Sequence, residues 1–134
     1  MAGKLEGRAR ELLEQPNFVA IALNRDDGPP DVKVVWADVD DHDHIVLNSA
    51  EGRRWPERLR RDGRVTVTVV NHENPYEYAQ IRGRVVEDTH DGADDNIDRL
   101  AKKYLGKDEY PFRQEGEQRV MFRIAPEHVK LHGG

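Results

Sequence analysis

The sequence predicts a mainly β fold (α+β), an antiparallel β-barrel with short helices at its openings. The chain has 134 residues, the length of one domain, so we expect a single domain over residues 1–134. Apolar runs of strand length alternate with clusters of Gly, Pro, Asn and Asp, which are typical of tight turns. The predicted element order is helix, three strands, short helix, two strands, helix, strand, and tight turns favour antiparallel pairing.

The first half of the chain predicts one helix and three strands. Apolar residues recur at helical spacing over residues 3–14, and Pro16 ends this helix. The apolar run 18–23 predicts the first strand, which the turn cluster NRDDGPP closes. Valine-rich residues 32–39 predict a second strand, and residues 45–47 predict a third that forms a hairpin with it across DVDDHDH.

A short helix and a strand follow. Pro56 fits only the first turn of a helix, because proline lacks an N–H group and blocks the preceding turn. The helix should therefore begin within a residue or two of Trp55 and end near residues 62–63. Residues 65–70 alternate Val and Thr, which predicts a strand.

The last third of the chain predicts a long strand, a helix and a final strand. The long strand covers residues 76–89, with Gly83 at a bulge or a close approach of two chains. Apolar residues at helical spacing predict a helix over residues 91–105, with Gly106 as its stop. The final strand is predicted over residues 119–124.

Composition excludes several classes of protein. The chain has no Cys, which excludes disulfides, zinc thiolate sites, iron–sulfur clusters and Cys nucleophiles. No apolar run approaches the roughly 20 residues of a membrane span, and the first residues lack the apolar region of a secretory signal. Its net charge of −5 is atypical of a general nucleic-acid binder. We expect a soluble, cytoplasmic protein without a membrane or nucleic-acid partner.

Six arginines within twelve residues form the main charged cluster, opposed there only by Glu57 and Asp62. They are Arg53, Arg54, Arg58, Arg60, Arg61 and Arg64. One interpretation is an anion site, because a helix N-terminus offers free N–H groups and guanidinium groups bind phosphate in bidentate fashion. Arg53 and Arg54 stand at the predicted helix start and are its best candidates. The alternative is a solvated helical face, and composition leaves both open.

No catalytic residues can be assigned from the sequence. Ser49 is the only serine, and no G-x-S-x-G surrounds it. His42 and His44 lie in an Asp-rich turn with no third ligand nearby, so we predict no metal site.

Several segments together resemble a known family. The series PNFVAIALNRDDGPPDVKVVWADVD, IVLNSAEGRRWPERLRRDGRVTVTVV, NPYEYAQIRGRVVE and ADDNIDRLAKKYLG is similar to the pyridoxamine 5′-phosphate oxidase-like split β-barrel proteins. Within that family it looks most like the branch that uses the deazaflavin coenzyme F-420. The resemblance covers about residue 10 to residue 129. It implies an FMN-binding-protein-like split β-barrel that forms a homodimer, with two cofactor sites at the dimer interface.

The family's phosphate-binding stretch is similar to NSAEGRRWPERLRRD in this chain. The resemblance implies that the phosphate is held by Asn48, Ser49, Gly52 and Arg53. The chain departs from the family pattern at Trp55, Glu57 and Arg58, where relatives have Lys, Arg and Asn. Trp55 takes the position of the family's lysine, and we expect Arg54 or Arg58 to replace the phosphate contact of that lysine.

Two further segments are assigned by the resemblance to the cofactor's ring system. Backbone groups of one strand should face the ring, through Lys33, Val34, Val35 and Trp36. The turn formed by Asn74, Pro75 and Tyr76 should reach the ring bound to the partner subunit, with Tyr76 as an aromatic wall.

The resemblance implies an oxidoreductase that passes hydride from reduced coenzyme F-420 to a small organic acceptor. In such an enzyme the cofactor carries the chemistry and the protein binds and orients it. Deazaflavin carries a phosphate and an oligoglutamate tail, which suits an arginine-rich patch. FMN is the alternative cofactor, and a non-catalytic carrier of the deazaflavin is the alternative role. A nucleic-acid module ranks below these. Stacking on bases requires aromatic residues interleaved with basic residues, and this sequence does not have that pattern.

Overall fold

In a computed structural model, which describes residues 4–133, seven strands form one antiparallel sheet in the order β2-β1-β5-β6-β7-β4-β3. The strands are β1 (Val19–Leu23), β2 (Asp31–Val35), β3 (Ala37–Val39), β4 (Ile45–Ala50), β5 (Arg64–Val70), β6 (Tyr78–Thr89) and β7 (Arg119–His132). The helices are α1 (Gly7–Glu14), α2 (Arg54–Arg61) and α3 (Ala93–Leu105). The predicted mainly β fold with short flanking helices is confirmed.

Trp36 divides the strand that was predicted over residues 32–39. Before it, β2 pairs with β1, and after it, β3 pairs with β4. These two strands are the opposite edges of the sheet. Because one residue separates them in the chain, the sheet must curl until its edges meet at Trp36, which makes it a split barrel. The hairpin predicted across DVDDHDH is confirmed for β3 and β4.

The barrel interior is filled by alternate strand residues and by the first two helices. Alternation in β1 and β5 buries every second apolar side chain, as period-two patterning requires. The predicted apolar face of α1 is buried against them, and so are Trp55 and Leu59 of α2. Helix α1 begins at Gly7, four residues after the predicted start, and residue 3 of the predicted helix lies outside the described residues.

Helix α3 packs on the outside of the barrel, across β4 and β7. Strand β4 is therefore buried on both faces, and Val46 packs there against Ala93 and Met121. The helix begins at Ala93, two residues after the predicted start, and ends at Gly106 as predicted. Gly106 has a φ of 72°, a left-handed conformation that favours glycine.

Gly83 marks a close approach of β6 and β7. A Cβ there would stand 2.4 Å from the Ala125 carbonyl oxygen, so no larger residue fits, and the strand register shifts between Arg82 and Gly83. Pro126, opposite Gly83, is accommodated at this irregularity. Both features confirm the interpretation of Gly83.

The ends of the last two strands differ from the prediction. Strand β6 begins at Tyr78 and not at residue 76, because Glu77 donates its N–H to Asn74 O in a turn before the strand. Strand β7 continues to His132, eight residues past the predicted end, because its second half pairs with the start of β6. No helix among residues 4–133 is long and apolar enough to cross a membrane.

Candidate functional site

A cavity of about 290 Å³ opens where the two edges of the sheet meet. The kink at Trp36, strand β4, the start of α2, helix α3 and the loop from residue 106 to residue 118 surround it. Its lining residues are Phe18, Val34, Val35, Trp36, Asn48, Arg53, Trp55, Ile97, Leu100, Tyr110, Phe112 and Arg119.

Five aromatic rings run in a chain along this cavity. The Trp36 and Tyr104 rings are stacked with centroids 5.2 Å apart and planes within 5°, and Phe18 stacks on the other side of Tyr104 at 5.6 Å. Tyr110 meets Trp36 edge-on at 6.2 Å and Phe112 at 5.7 Å. Such an array offers flat apolar surface to a planar ligand.

Polar anchors hold Trp36 in place from behind. The Tyr104 hydroxyl donates to Asn17 O at 2.6 Å and accepts the Ala37 N–H at 3.1 Å, directly beside Trp36. Lys103 Nζ donates to the carbonyl oxygens of Leu13 and Ala37. Desolvation by burial lowers the pKa of Lys103 to about 8 and raises that of Tyr104 to about 12. The kink is thus tied to the end of α3 and the end of α1.

A buried polar network forms the floor of the cavity. Asn48 donates through Nδ2 to Ala93 O at 2.8 Å and to Asn96 Oδ1 at 2.9 Å. Its Oδ1 accepts Arg119 Nε–H at 2.9 Å, and Arg119 Nη1 lies 3.0 Å from Glu117 Oε1. The Arg119 guanidinium also covers the ring of Tyr110 at 5.1 Å.

The mouth of the cavity holds the N-terminus of α2. Arg53 is its N-cap residue, and no side chain among residues 4–133 caps the helix by accepting the N–H groups of Arg54 and Trp55. Pro56 has no N–H to add to them. Gly52, just before the cap, has a φ of 94°, and a Cβ there would point into open space.

The six arginines divide into two groups. Within residues 4–133, neither Arg53 nor Arg54 has a carboxylate within 4 Å. The other four are paired: Arg58 with Asp31, Arg60 with Glu51, Glu57 and Asp88, Arg61 with Asp26, and Arg64 with Asp62. Glu51 shows the strength of the Arg60 group, because hydrogen bonds from Arg60 and His90 lower its pKa to about 2. The solvated-face interpretation therefore describes four of the six arginines.

The cavity brings together six of the residues that the sequence assigned to cofactor binding. They are Val34, Val35, Trp36, Asn48, Arg53 and Trp55. Trp55 is also part of the barrel core, since only 6% of it is exposed.

The other residues assigned near the phosphate do not line the cavity. Lys33 and Arg54 are exposed outside it, and Gly52 lies just before the α2 cap. Ser49 is fully buried, and its hydroxyl has no hydrogen-bond partner among the described residues. Arg58 faces a separate surface depression beside Arg25 and Arg61. Their assignment to the cofactor stays a prediction.

The turn of Asn74, Pro75 and Tyr76 lies away from the cavity in the same chain. Tyr76 is 82% exposed. Pro75 lines a shallow depression on the outer sheet face, whose wall includes Phe18 and Val34. These two residues also line the cavity, so the depression lies next to it. The prediction that this turn serves the partner's site stays a prediction.

Sequence analysis missed half of the cavity lining. Phe18, Ile97 and Leu100 carry ordinary core patterning. Three others had a signal: Tyr110 and Phe112 are aromatic residues in a polar loop, and Arg119 is a charge that opens an otherwise apolar strand.

The lining is suited to binding a ligand and contains no acid–base set. No Asp, Glu, His, Ser or Lys is among the cavity-lining residues. An aromatic wall, a cation at a helix N-terminus and a second, buried cation together fit a flat heteroaromatic molecule with an anionic group. A nucleotide-like cofactor with a phosphate matches this donor set.

Comparison with known proteins identifies the family and the fold. The family model described as pyridoxamine 5′-phosphate oxidase matches residues 5–133. No curated protein matches the chain.

Solved structures share the fold at low sequence identity. A protein named F420 reductase superposes with a TM-score of 0.79 at 23% identity, covering 93% of this chain and 98% of its own. A putative pyridoxamine 5′-phosphate oxidase from Listeria innocua has a TM-score of 0.68 at 17% identity, over 90% of this chain and 92% of its own. An FAD-binding protein from Mesorhizobium loti has a TM-score of 0.67 at 22% identity, over 92% and 90%. These likenesses confirm the FMN-binding-type split barrel.

Proposed function

The chain belongs to the pyridoxamine 5′-phosphate oxidase family, a flavin-binding oxidoreductase family, and on that premise we propose that it is an oxidoreductase of coenzyme F-420. Coenzyme F-420, when bound, supplies the hydride that an organic acceptor receives. The protein's part is to bind the cofactor, orient its ring and exclude water.

One observation carries the proposal: Arg53, at the mouth of an aromatic cavity, has no carboxylate partner in the part of the chain that the structure describes. Elsewhere in the same cluster each arginine from Arg58 onward has a carboxylate. A cation left without a partner at a helix N-terminus is poised for an anion, since the free N–H groups and the helix dipole act with it. We assign the cofactor's phosphate to Arg53 and to the N–H groups of Arg54 and Trp55.

The aromatic wall would orient the ring. Tyr104 stacks behind Trp36 and fixes its ring, so little conformational entropy is lost at Trp36 when a ligand binds. A planar ring against Trp36 and Tyr110 would be shielded from water by the 106–118 loop. That loop is held on α3, because Asp98 accepts hydrogen bonds from Tyr110 N–H at 2.9 Å and Arg113 at 2.8 Å.

FMN is the second candidate cofactor. It also carries a phosphate group on a similar ring system, and a structural neighbour is named as an FAD-binding protein. A phosphate group suits the anion site at Arg53 in either molecule, so the choice rests on the tail. The oligoglutamate of coenzyme F-420 carries further negative charge, and Arg54 has no carboxylate partner within residues 4–133.

We also propose a homodimer whose interface borders the cavity. Phe18, Val32, Val34 and Val70 lie on the outer sheet face and are 55%, 62%, 69% and 37% exposed. Adjacent exposed apolar residues of this kind mark an interaction surface. A second copy of the chain would cover Phe18 and Val34, which also line the cavity, and would bring its Tyr76 turn toward the ring.

The first experiment is a titration of the purified protein with coenzyme F-420 and with FMN, followed by fluorescence. We expect tighter binding of coenzyme F-420. Turnover is then measured with reduced coenzyme F-420 and a panel of quinones, enones and tetrapyrroles. Binding without oxidation of the reduced cofactor by any acceptor would show a carrier and not an enzyme, and binding of FMN alone would show a flavoprotein.

The second experiment measures molar mass by light scattering at micromolar concentration. We expect a dimer that Val34→Asp converts to a monomer. Val86→Asp is the matched control, because Val86 is also exposed (52%) but lies outside the proposed interface. Across the sheet, Val34 is in line with Gln80 of β6, and Val86 is six residues further along that strand. A monomeric wild-type protein would contradict the dimer.

A further inference from the structure

Arg119 is a buried cation whose hydrogen-bonding groups are only partly used. It is 4% exposed, at the first residue of β7, and it lines the floor of the cavity. A guanidinium group carries five N–H donors. Within residues 4–133, Nε donates to Asn48 and Nη1 to Glu117, and Nη2 donates to no protein group.

The unused donors face the cavity. No nitrogen of Arg119 is among the fully enclosed polar atoms that lack a partner. Since the residue is 96% buried and lines the cavity, its free N–H groups are placed to reach a molecule inside it. A buried donor left unpaired is costly, so this position favours a ligand that carries acceptor atoms.

We propose that Arg119 is a specificity residue that donates hydrogen bonds to the carbonyl oxygens on the pyrimidine edge of the bound ring, with Glu117 as its counter-charge. This inference rests on the proposed function and extends it from the phosphate to the ring. Flavins and deazaflavins both carry two carbonyl groups on that edge, so either ring offers the acceptors.

Glu117 explains why Arg119 selects a carbonyl group and not a second phosphate. Its side chain is 9% exposed and lies 3.0 Å from Arg119 Nη1. The pair is neutral overall, and a full anion at the floor would meet the Glu117 carboxylate at close range in a poorly solvated site. A neutral carbonyl oxygen accepts from the guanidinium without that repulsion. Arg53, which has no such neighbour, is left for the phosphate.

The arrangement predicts opposite effects of the two charges on the bound ring. Reduction of the ring adds negative charge to its pyrimidine edge. Arg119 then binds the reduced form more tightly than the oxidised form, and Glu117 opposes this preference. Removing the cation should lower the reduction potential of the bound cofactor, and removing the anion should raise it.

The experiment measures the reduction potential of bound coenzyme F-420, or of bound FMN if only FMN binds, in three variants. We expect Arg119→Met to lower it and Glu117→Gln to raise it, each by about a tenfold change in the ratio of reduced-form to oxidised-form affinity. That change equals about 30 mV for a two-electron couple. Glu117→Gln keeps an oxygen acceptor for Arg119, and Glu115→Gln, an exposed residue of the same loop, is the matched control and should leave the potential unchanged.

Binding of ring ligands without phosphate separates this inference from the proposed function. We expect Arg119→Met to weaken phosphate-free deazaflavin, or riboflavin, by about the same factor as the phosphorylated molecule. Arg119→Lys keeps the positive charge. The reduction potential of the cofactor bound to this variant should therefore stay close to that of the wild type, even if the variant folds less stably.

Potentials that shift in the same direction in Arg119→Met and Glu117→Gln, or in neither, would overturn the role of Arg119 while the cofactor still binds. A wild-type protein that binds none of these ring ligands would instead overturn the proposed function and this inference together.

Discussion

The two ends of helix α2 carry the same residue type and differ in what surrounds it. At the N-terminal end, Arg53 and Arg54 have no carboxylate partner within residues 4–133. At the C-terminal end, Arg58 and Arg60 are held by acids from β2, the end of β4 and β6. The difference shows that an arginine cluster in a sequence contains paired and unpaired members that only tertiary contacts separate.

The paired end has a structural purpose. Arg60 connects Glu51, Glu57 and Asp88, and its guanidinium lies 5.5 Å from the centre of the Phe122 ring in the barrel core. Arg58 and Arg61 hold the β1–β2 loop through Asp31 and Asp26. These arginines therefore fix the helix on the barrel, and the fixed helix positions Arg53 at the cavity.

The largest expected effect is on ligand affinity at the open end. Arg53→Met should weaken coenzyme F-420 binding about 10- to 150-fold, the range for loss of one charge-assisted hydrogen bond. Arg61→Met is the matched control and should change affinity less than about twofold, because Arg61 lies at the paired end beside Asp26. Equal losses in isothermal titration would show that the two ends are equivalent and would contradict the comparison.

A second contrast is between Arg53, which has no carboxylate partner within residues 4–133, and Lys103, a cation that donates hydrogen bonds to backbone carbonyl groups behind the cavity. Its pKa of about 8 lies below the ordinary value of 10.5, so between these values the unfolded chain binds more protons than the folded one. The free energy of unfolding should rise by about 2 kcal/mol from pH 8 to pH 10. Stability falls again above pH 10, because the pKa of Tyr104 is raised to about 12.

Urea unfolding at pH 8, 9 and 10 tests this pH dependence. Lys103→Met should remove the rise while keeping the apolar part of the side chain. A rise of the same size in Lys103→Met would assign the effect to another group.

Arg60→Met should lower stability by about 1 kcal/mol and leave coenzyme F-420 affinity unchanged, because its side chain is 28% exposed and joins three carboxylates. Arg61→Met should lower stability by less than about 0.5 kcal/mol, because the Arg61 side chain is 73% exposed. Thermal unfolding with and without ligand measures both quantities. If Arg60→Met weakened coenzyme F-420 as much as Arg53→Met does, the claim that only the N-terminal end of α2 binds the ligand would be contradicted.

Of the two arginines at the open end, Arg54 should have the smaller effect, because it does not line the cavity. Arg54→Met should weaken coenzyme F-420 by less than about threefold at 0.15 M salt, since screening limits a charge that makes no direct contact. FMN, which lacks the oligoglutamate tail, should be affected less still. A larger loss would extend the anion site to Arg54.

Local patterning predicted most of the fold. The apolar run of β1, the alternation in β5, the apolar face of α1 and the glycines at 83 and 106 each have a local physical cause, and each is confirmed. The break at Trp36 was not predictable in this way, since residues 32–39 read as one valine-rich strand. Only the pairing of its halves with opposite sheet edges divides it.

The site was partly predictable for the same reason. Arg53, Asn48 and Trp36 follow from the resemblance and line one cavity. Arg119 was missed because its role depends on Asn48 and Glu117, and Asn48 lies 71 residues away. The ion pair between Arg58 and Asp31 could not be predicted for the same reason, because the two residues are distant in the sequence and meet only in the fold.

The most direct test of the account uses the tryptophans. Both tryptophans of the chain, Trp36 and Trp55, line the cavity, so a bound ring should quench their emission. Titration with coenzyme F-420 should give saturable quenching, and phosphate-free deazaflavin should bind about 10- to 150-fold more weakly because the contact with Arg53 is lost. No saturable quenching, or equal affinity for the two molecules, would contradict the claim that this cavity binds a phosphate-bearing ring through Arg53.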